Sequence, residues 1–241
     1  MENMIEIFLL AVGASFVQRT TGFGFGIFIM TLLPFLMPSY GEATALSGLL
    51  ALTTSAIITF RMRKFITWKR LTPILFTFIA ISTVAICLLA RIHDDVLRKI
   101  LGIVLMITSL YFAFFSSRIK IKTTLPYQIG AGSISGIMGG FFGMQGPPAV
   151  LYFISSEPDK NHYMAMVQTY FLIGNTMMTI VRASNGFVTA AVGKCYVFCL
   201  AAVIIGTLLG SWAFKRIPGR IFPYVVYSYI GISGLIIFLT A

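Results

Sequence analysis

The stretch Gln18-Arg19-Thr20-Thr21-Gly22-Phe23-Gly24-Phe25-Gly26 sets a guanidinium, an amide, two hydroxyls and three glycines inside an otherwise apolar run. An Arg at the centre of a spanning helix costs about 2.5–3.5 kcal/mol on insertion scales, so Arg19 is a functional candidate by its depth alone. Glycines let a backbone leave helical geometry and expose its N–H groups. A half-helix beginning there would direct about half a positive charge at the break. Guanidinium, hydroxyls and free N–H groups together describe a site for an oxyanion. The competing reading stays open: an arginine that snorkels or pairs structurally, beside glycines that only permit close packing.

A second cluster, Gly139-Gly140-Phe141-Phe142-Gly143-Met144-Gln145-Gly146-Pro147-Pro148, carries no charge. Pro147 and Pro148 suit the first turn of a helix, where no N–H is needed. Gln145 just before them offers an amide donor, with a plain structural kink as the equal alternative. Ser47, Gln168 and Asn175 lie within apolar segments, where polar groups must find partners. They face the same cavity or bond between helices. The expected substrate-binding set is therefore Gln18, Arg19, Thr20, Thr21, Gly22, Gly24, Gly26, Ser47, Gly143, Gln145, Gly146, Gln168 and Asn175. Gly132, Gly136 and Gly140 read as a ridge for close helix packing, and Arg182, near the end of its segment, as an interfacial anchor.

The acidic residues, Glu2, Glu6, Glu42, Asp94, Asp95, Glu157 and Asp159, lie at segment ends or in loops, as do His93 and His162. No carboxylate is placed to bind a cation or relay protons in mid-membrane. Cys87, Cys195 and Cys199 have no His or acidic neighbour to complete a metal site. HExxH, GxSxG and P-loop patterns are missing from the sequence. No catalytic residue, metal or cofactor is expected, and an enzyme is not the favoured reading.

The elements that would hold these residues are membrane helices. Of the 241 residues 58% are hydrophobic and 10% charged, against about 25% charged in soluble domains; the mean hydropathy is +0.92. Apolar segments run over 4–36, 43–60, 68–90, 96–115, 124–156, 163–184, 188–214 and 219–240. Two of them, 4–36 and 124–156, would be about 50 Å long if helical throughout, whereas a hydrocarbon core is about 30 Å thick. Each is broken by its glycines into pieces too short to span, so they are broken helices or re-entrant hairpins. Gly22 aligns with Gly143 and Ser47 with Gln168, both at an offset of 121 residues. The chain therefore reads as an all-α polytopic membrane protein with one transport domain, 1–241. It has two tandem repeats, 1–116 and 124–241, each a broken segment plus three transmembrane helices. Paired interruptions in two halves point to a transporter's binding site. Re-entrant segments make the repeats inverted and distribute Lys and Arg less evenly across the membrane, as the positive-inside rule favours, with both termini outside the cytoplasm.

The net charge of +11 sits in short loops, as at Arg61, Arg63, Lys64, Lys69 and Arg70. That placement indicates topology and lipid neighbours, and no nucleic acid. The N-terminus has Glu2 and Glu6 and no basic residue, so a retained membrane segment is expected rather than a cleaved signal. Gly206 and Gly210 are spaced for close helix contact, inside the chain or in a homodimer.

The two halves, QRTTGFGFGIFIMTLLPFL and GSISGIMGGFFGMQGPPAVLYFI, resemble the TauE/SafE family of sulfite exporters, also grouped with sulfonate permeases. The resemblance covers nearly the whole chain. The first copy departs from the commoner family pattern in diluting its glycine run to GFGFG after Gln-Arg-Thr-Thr. The resemblance implies a multi-pass protein of the inner membrane that moves sulfite or an organosulfonate such as sulfoacetate, usually outward. Alternating access is the expected mechanism. A channel-like anion pore and, more remotely, an intramembrane enzyme acting on a phosphate lipid are the rivals.

Overall fold

The computed structural model describes residues 3–114, 123–157 and 159–214, together with 232, 235, 238 and 239. Ten α-helices and a 3-10 turn make up the described chain, with no strand among the described residues. They are α1 (Met4–Thr21), α2 (Phe25–Ile29), α3 (Leu33–Leu36), α4 (Tyr40–Met62), the turn Arg63–Phe65, α5 (Trp68–Leu89), α6 (Asp94–Phe114), α7 (Leu125–Phe142), α8 (Gly146–Ser156), α9 (Lys160–Ser184) and α10 (Ala190–Phe214). Five stretches among the described residues are long and apolar enough to cross a membrane: Met4–Thr21, Tyr40–Phe60, Trp68–Leu89, Asn161–Ser184 and Ala190–Ala213. The first corrects the expectation that the glycines leave only pieces too short to span, because α1 runs unbroken for 18 residues before Gly22 ends it. The chain is a multi-pass helical membrane protein. The expected segment 219–240 falls almost wholly outside the described residues.

Local chemistry explains where the helices stop. Gly22 and Gly24 take φ of +87° and +94°, and Gly143 takes +67°, in the left-handed region that a side chain disfavours. At the second break Gly143 N–H bonds to Gly139 O and Met144 N–H to Met138 O, so a left-handed glycine cap closes α7. α4 starts earlier than its apolar run because the Ser39 side chain caps it, accepting the Glu42 N–H. Asp159 caps α9 likewise, accepting from the N–H groups of Asn161 and His162.

Helices from the two halves pack across one another. α1 lies along α10 in the same direction: Phe8 stacks near Phe198, Val12 meets Gly206, and Arg19 meets Gly210. α5 lies along α7 in the same way, with Ile74 at Gly132, Ile81 at Gly136 and Ala85 at Gly140. The contacts depend on missing side chains, since a Cβ on Gly132 would stand 2.7 Å from Ile74 O and one on Gly206 2.3 Å from Val12 O. The packing reading of Gly132, Gly136 and Gly140 thus holds, and Gly206 and Gly210 serve an interface within the chain. α4 and α9 run in opposite directions: Gly41 meets Phe187, Gly48 meets Arg182, and Thr67 beyond α4 donates to Met166 Sδ.

α8 turns back along α7. Gln128, in the first turn of α7, donates to the Tyr152 hydroxyl near the end of α8 at 2.7 Å. Ser135 in mid-α7 donates to the Gln145 carbonyl at the start of α8. Arg70, at the start of α5, bonds to Ser156 O and pairs with Glu157 at 3.1 Å, tying the returning end to the same end of the molecule. The first break also folds back, with Phe28 of α2 against Gly13 of α1.

Candidate functional site

The two breaks meet. A Cβ on Gly26 would stand 2.1 Å from the carbonyl oxygen of Gly143 and 3.4 Å from Met144 Cα. Only glycine lets the backbone of the first hairpin reach the backbone of the second. Beside this crossing is a cavity of about 20 Å³, lined by Gln18, Gly24, Phe25, Gly26, Ile27, Ala51, Gly143, Met144, Gln145, Gly146, Phe171 and Asn175. That is space for about one water molecule. Its polar lining consists of backbone and three neutral amides, with no charged side chain. The start of α8 opens onto it, with Gln145 at the N-cap and Gly146 in the first turn.

Sequence-expected residues take several positions around this point. Gln18, Gly24, Gly26, Gly143, Gln145, Gly146 and Asn175 line the cavity. Gln18 is buried and donates to Ser55 Oγ at 3.1 Å and to Gln168 Oε1 at 3.2 Å. Gln168 passes the chain on, donating to Gly22 O at 2.7 Å. An orphan carbonyl at the end of α1 is thereby satisfied, as a helix end requires. Thr20 and Thr21 donate to backbone carbonyls of their own turn, Thr20 to Phe16 and Val17, Thr21 to Val17 and Phe23. Their hydroxyls stabilise the turn. Ser47 lies behind Gly143, where an added Cβ would come to 3.6 Å of its Oγ.

Arg19 faces another way. Its Nε donates to Ser211 Oγ on α10 at 2.8 Å, and its stem lies on Gly210. It borders a separate, mostly apolar cavity of about 260 Å³ with Ile57, Ile58, Met62, Ile204, Thr207, Leu208 and Ser211. One step along a helix turns a side chain by about 100°, which separates Arg19 from Gln18.

The interfacial reading of Arg182 is corrected by the structure. The residue is 0% exposed, and its Nη2 donates to Gly139 O at 2.8 Å and Gly140 O at 3.2 Å, in the last turn of α7. Sequence distance to the end of a hydrophobic run does not reveal a hairpin that brings a buried helix end alongside. Phe171 and Ala51 were missed because apolar residues in apolar helices carry no signal. No group of His, Cys, Asp and Glu able to hold a metal occurs among the described residues.

The family described as sulfite exporter TauE/SafE matches residues 7–237. The chain belongs to this family. Within TauE/SafE, a protein of Cupriavidus necator described as a "Probable sulfite/organosulfonate exporter TauE" is 24% identical over 219 residues, covering 89% of this chain and 84% of that protein. No solved structure matches the chain. Membership makes it a membrane transporter by family.

Proposed function

We propose that the chain exports a small anion, sulfite or an organosulfonate, by alternating access at the crossing of the two helix breaks. The observation that carries this reading is the Gly26–Gly143 contact, beside which the first turn of α8 and the amides of Gln18, Gln145 and Asn175 border one cavity. A helix N-terminus and neutral amides hold an oxyanion by pointing N–H groups at it. Gly24, Gly26, Gly143 and Gly146 bring the backbone close. The Gln18–Gln168–Gly22 chain of hydrogen bonds holds the first break in shape.

Two repeats, 1–116 and 124–241, related by inversion, are the arrangement we favour. Exchange of partners supports it, because α1 on α10 and α7 on α5 are corresponding contacts at corresponding places in the two halves. The fold-back of each break supports re-entrant hairpins, since α8 with 11 residues extends about 16 Å. Both hairpins then enter from opposite faces and touch at their tips. A cavity of about 20 Å³ is smaller than a sulfite ion needs, so loading requires the tips to part. Parting toward one face and then the other gives alternating access. No acidic side chain lines the cavity among the described residues, and a protonated form of sulfite can itself carry any proton that accompanies transport.

Flux of sulfite and of organosulfonates into proteoliposomes, with counterflow, tests the reading. Saturation and counterflow are expected for a carrier. Unsaturable flux without counterflow would assign a pore, and flux of neither anion would remove the substrate.

A further inference from the structure

Arg182 is fully buried and no carboxylate pairs with it among the described residues. Its Nη2 is used on α7, while Nε and Nη1 have no hydrogen-bond partner among the described residues. The buried Thr179 Oγ1, Ser47 Oγ and Tyr40 hydroxyl share that condition. Gly48 lies between two of these groups: a Cβ there would stand 3.2 Å from Arg182 Nη1 and 3.7 Å from Thr179 Oγ1. Burying a charge is costly unless a counter-charge and hydrogen bonds satisfy it. Glu157, the other buried acid or base among the described residues, does have its counter-ion in Arg70.

A helix break presents two ends of opposite sign. The α8 N-terminus carries about half a positive charge and the α7 C-terminus about half a negative one. An anion at Gly143–Gly146 is attracted by the first and repelled by the second. Arg182 lies on the carbonyls that make up the second. It shares Gly139 O with the N–H of Gly143, the break residue itself. At the first break no arginine takes this place: a carbonyl at the end of α1, Gly22 O, is met by the neutral Gln168 amide.

We propose that Arg182 is a positioning residue that supplies the counter-charge for the transported anion, by cancelling the negative end of α7 and leaving a net positive field at the second break. The proposal deepens the anion-export reading and rests on it. Charge at this point discriminates among anions, because Coulomb energy scales with the charge of the ligand. A residue that merely held the fold would affect all anions alike.

The test compares KM for sulfite at alkaline pH, where it is a dianion, with KM for methanesulfonate, a monoanion of similar shape, in proteoliposomes. For Arg182→Gln the expected rise is about 10-fold for the monoanion and about 100-fold for the dianion, with kcat changing much less, as doubling the ligand charge doubles the lost energy. Arg182→Lys keeps the charge and is expected to retain the wild-type ratio of the two KM values even if its flux falls. Equal rises for both anions in Arg182→Gln would overturn the assignment. If Arg182→Gln does not fold, Arg182→Met takes its place and is read in the same way: a rise that is steeper for the dianion supports the proposal and equal rises overturn it. Wild-type flux with equal losses removes this role alone, whereas wild-type protein that moves neither anion removes the export reading and this role with it.

Discussion

Gly26→Ala puts one methyl group into the crossing of the two breaks. Its Cβ would lie 2.1 Å from Gly143 O and 3.1 Å from Gly143 C, and ordinary contact begins near 3.4 Å. The hairpin tips must therefore separate by more than 1 Å. Both sides of the contact are backbone, and neither can escape by changing a rotamer. Overpacking of a tight core costs about 1–3 kcal/mol, and a backbone obstacle belongs at the upper end of that range. Gly130→Ala is the control, since an added Cβ there meets nothing within 4 Å and helix propensity favours Ala by about 1 kcal/mol. Thermal melting of detergent-purified protein and sulfite flux in proteoliposomes read both variants. Gly26→Ala is expected to melt earlier and lose most of its flux, and Gly130→Ala to match the wild type or melt later. Wild-type melting and flux for Gly26→Ala would refute the crossing as the centre of the site.

Gln18→Ala leaves Ser55 and Gln168 short of a donor inside the protein, at about 1–3 kcal/mol for an unsatisfied buried group; lowered flux with a modest drop in melting temperature is expected, and unchanged flux would count against Gln18 as part of the site. Arg19→Ala separates two readings of that residue: depth in the sequence predicts loss of transport, while its position on Ser211 and Gly210 predicts a KM for sulfite close to wild type and a loss of stability. Flux kinetics beside a melting curve choose between them. Gly140→Ala would bring a Cβ to 2.4 Å of Ala85 Cβ and 2.9 Å of Ser82 O, so about 1–3 kcal/mol of overpacking and less folded protein in the membrane fraction are expected.

Much of the architecture was legible because membrane helices are written in composition. The breaks at Gly22 and Gly143 were found from segment length against bilayer thickness, and both glycines adopt positive φ. Gln145 and Asn175 stood out as polar residues in apolar surroundings, and both line the cavity. What composition does not record is rotation about a helix axis. Gln18 and Arg19 are neighbours in sequence at the same depth, yet one lines the crossing and the other faces α10. Arg182 failed for the complementary reason: its place near a segment end suggested headgroups, whereas the neighbour that buries it is the end of α7.

The partner exchange between halves has a consequence for how such a protein is assembled and how it moves. The first helix of each half is clamped, glycine to backbone, on the third long helix of the other, so the two halves are linked like clasped hands. Neither can bury its small-residue face alone. Cutting the chain between Phe114 and Thr123 should leave a working pair when both fragments are made together and an aggregating one when either is made alone. On the alternating-access proposal, the rigid pieces that shift are the mixed pairs, α1 with α10 and α5 with α7, each drawn from both halves of the chain.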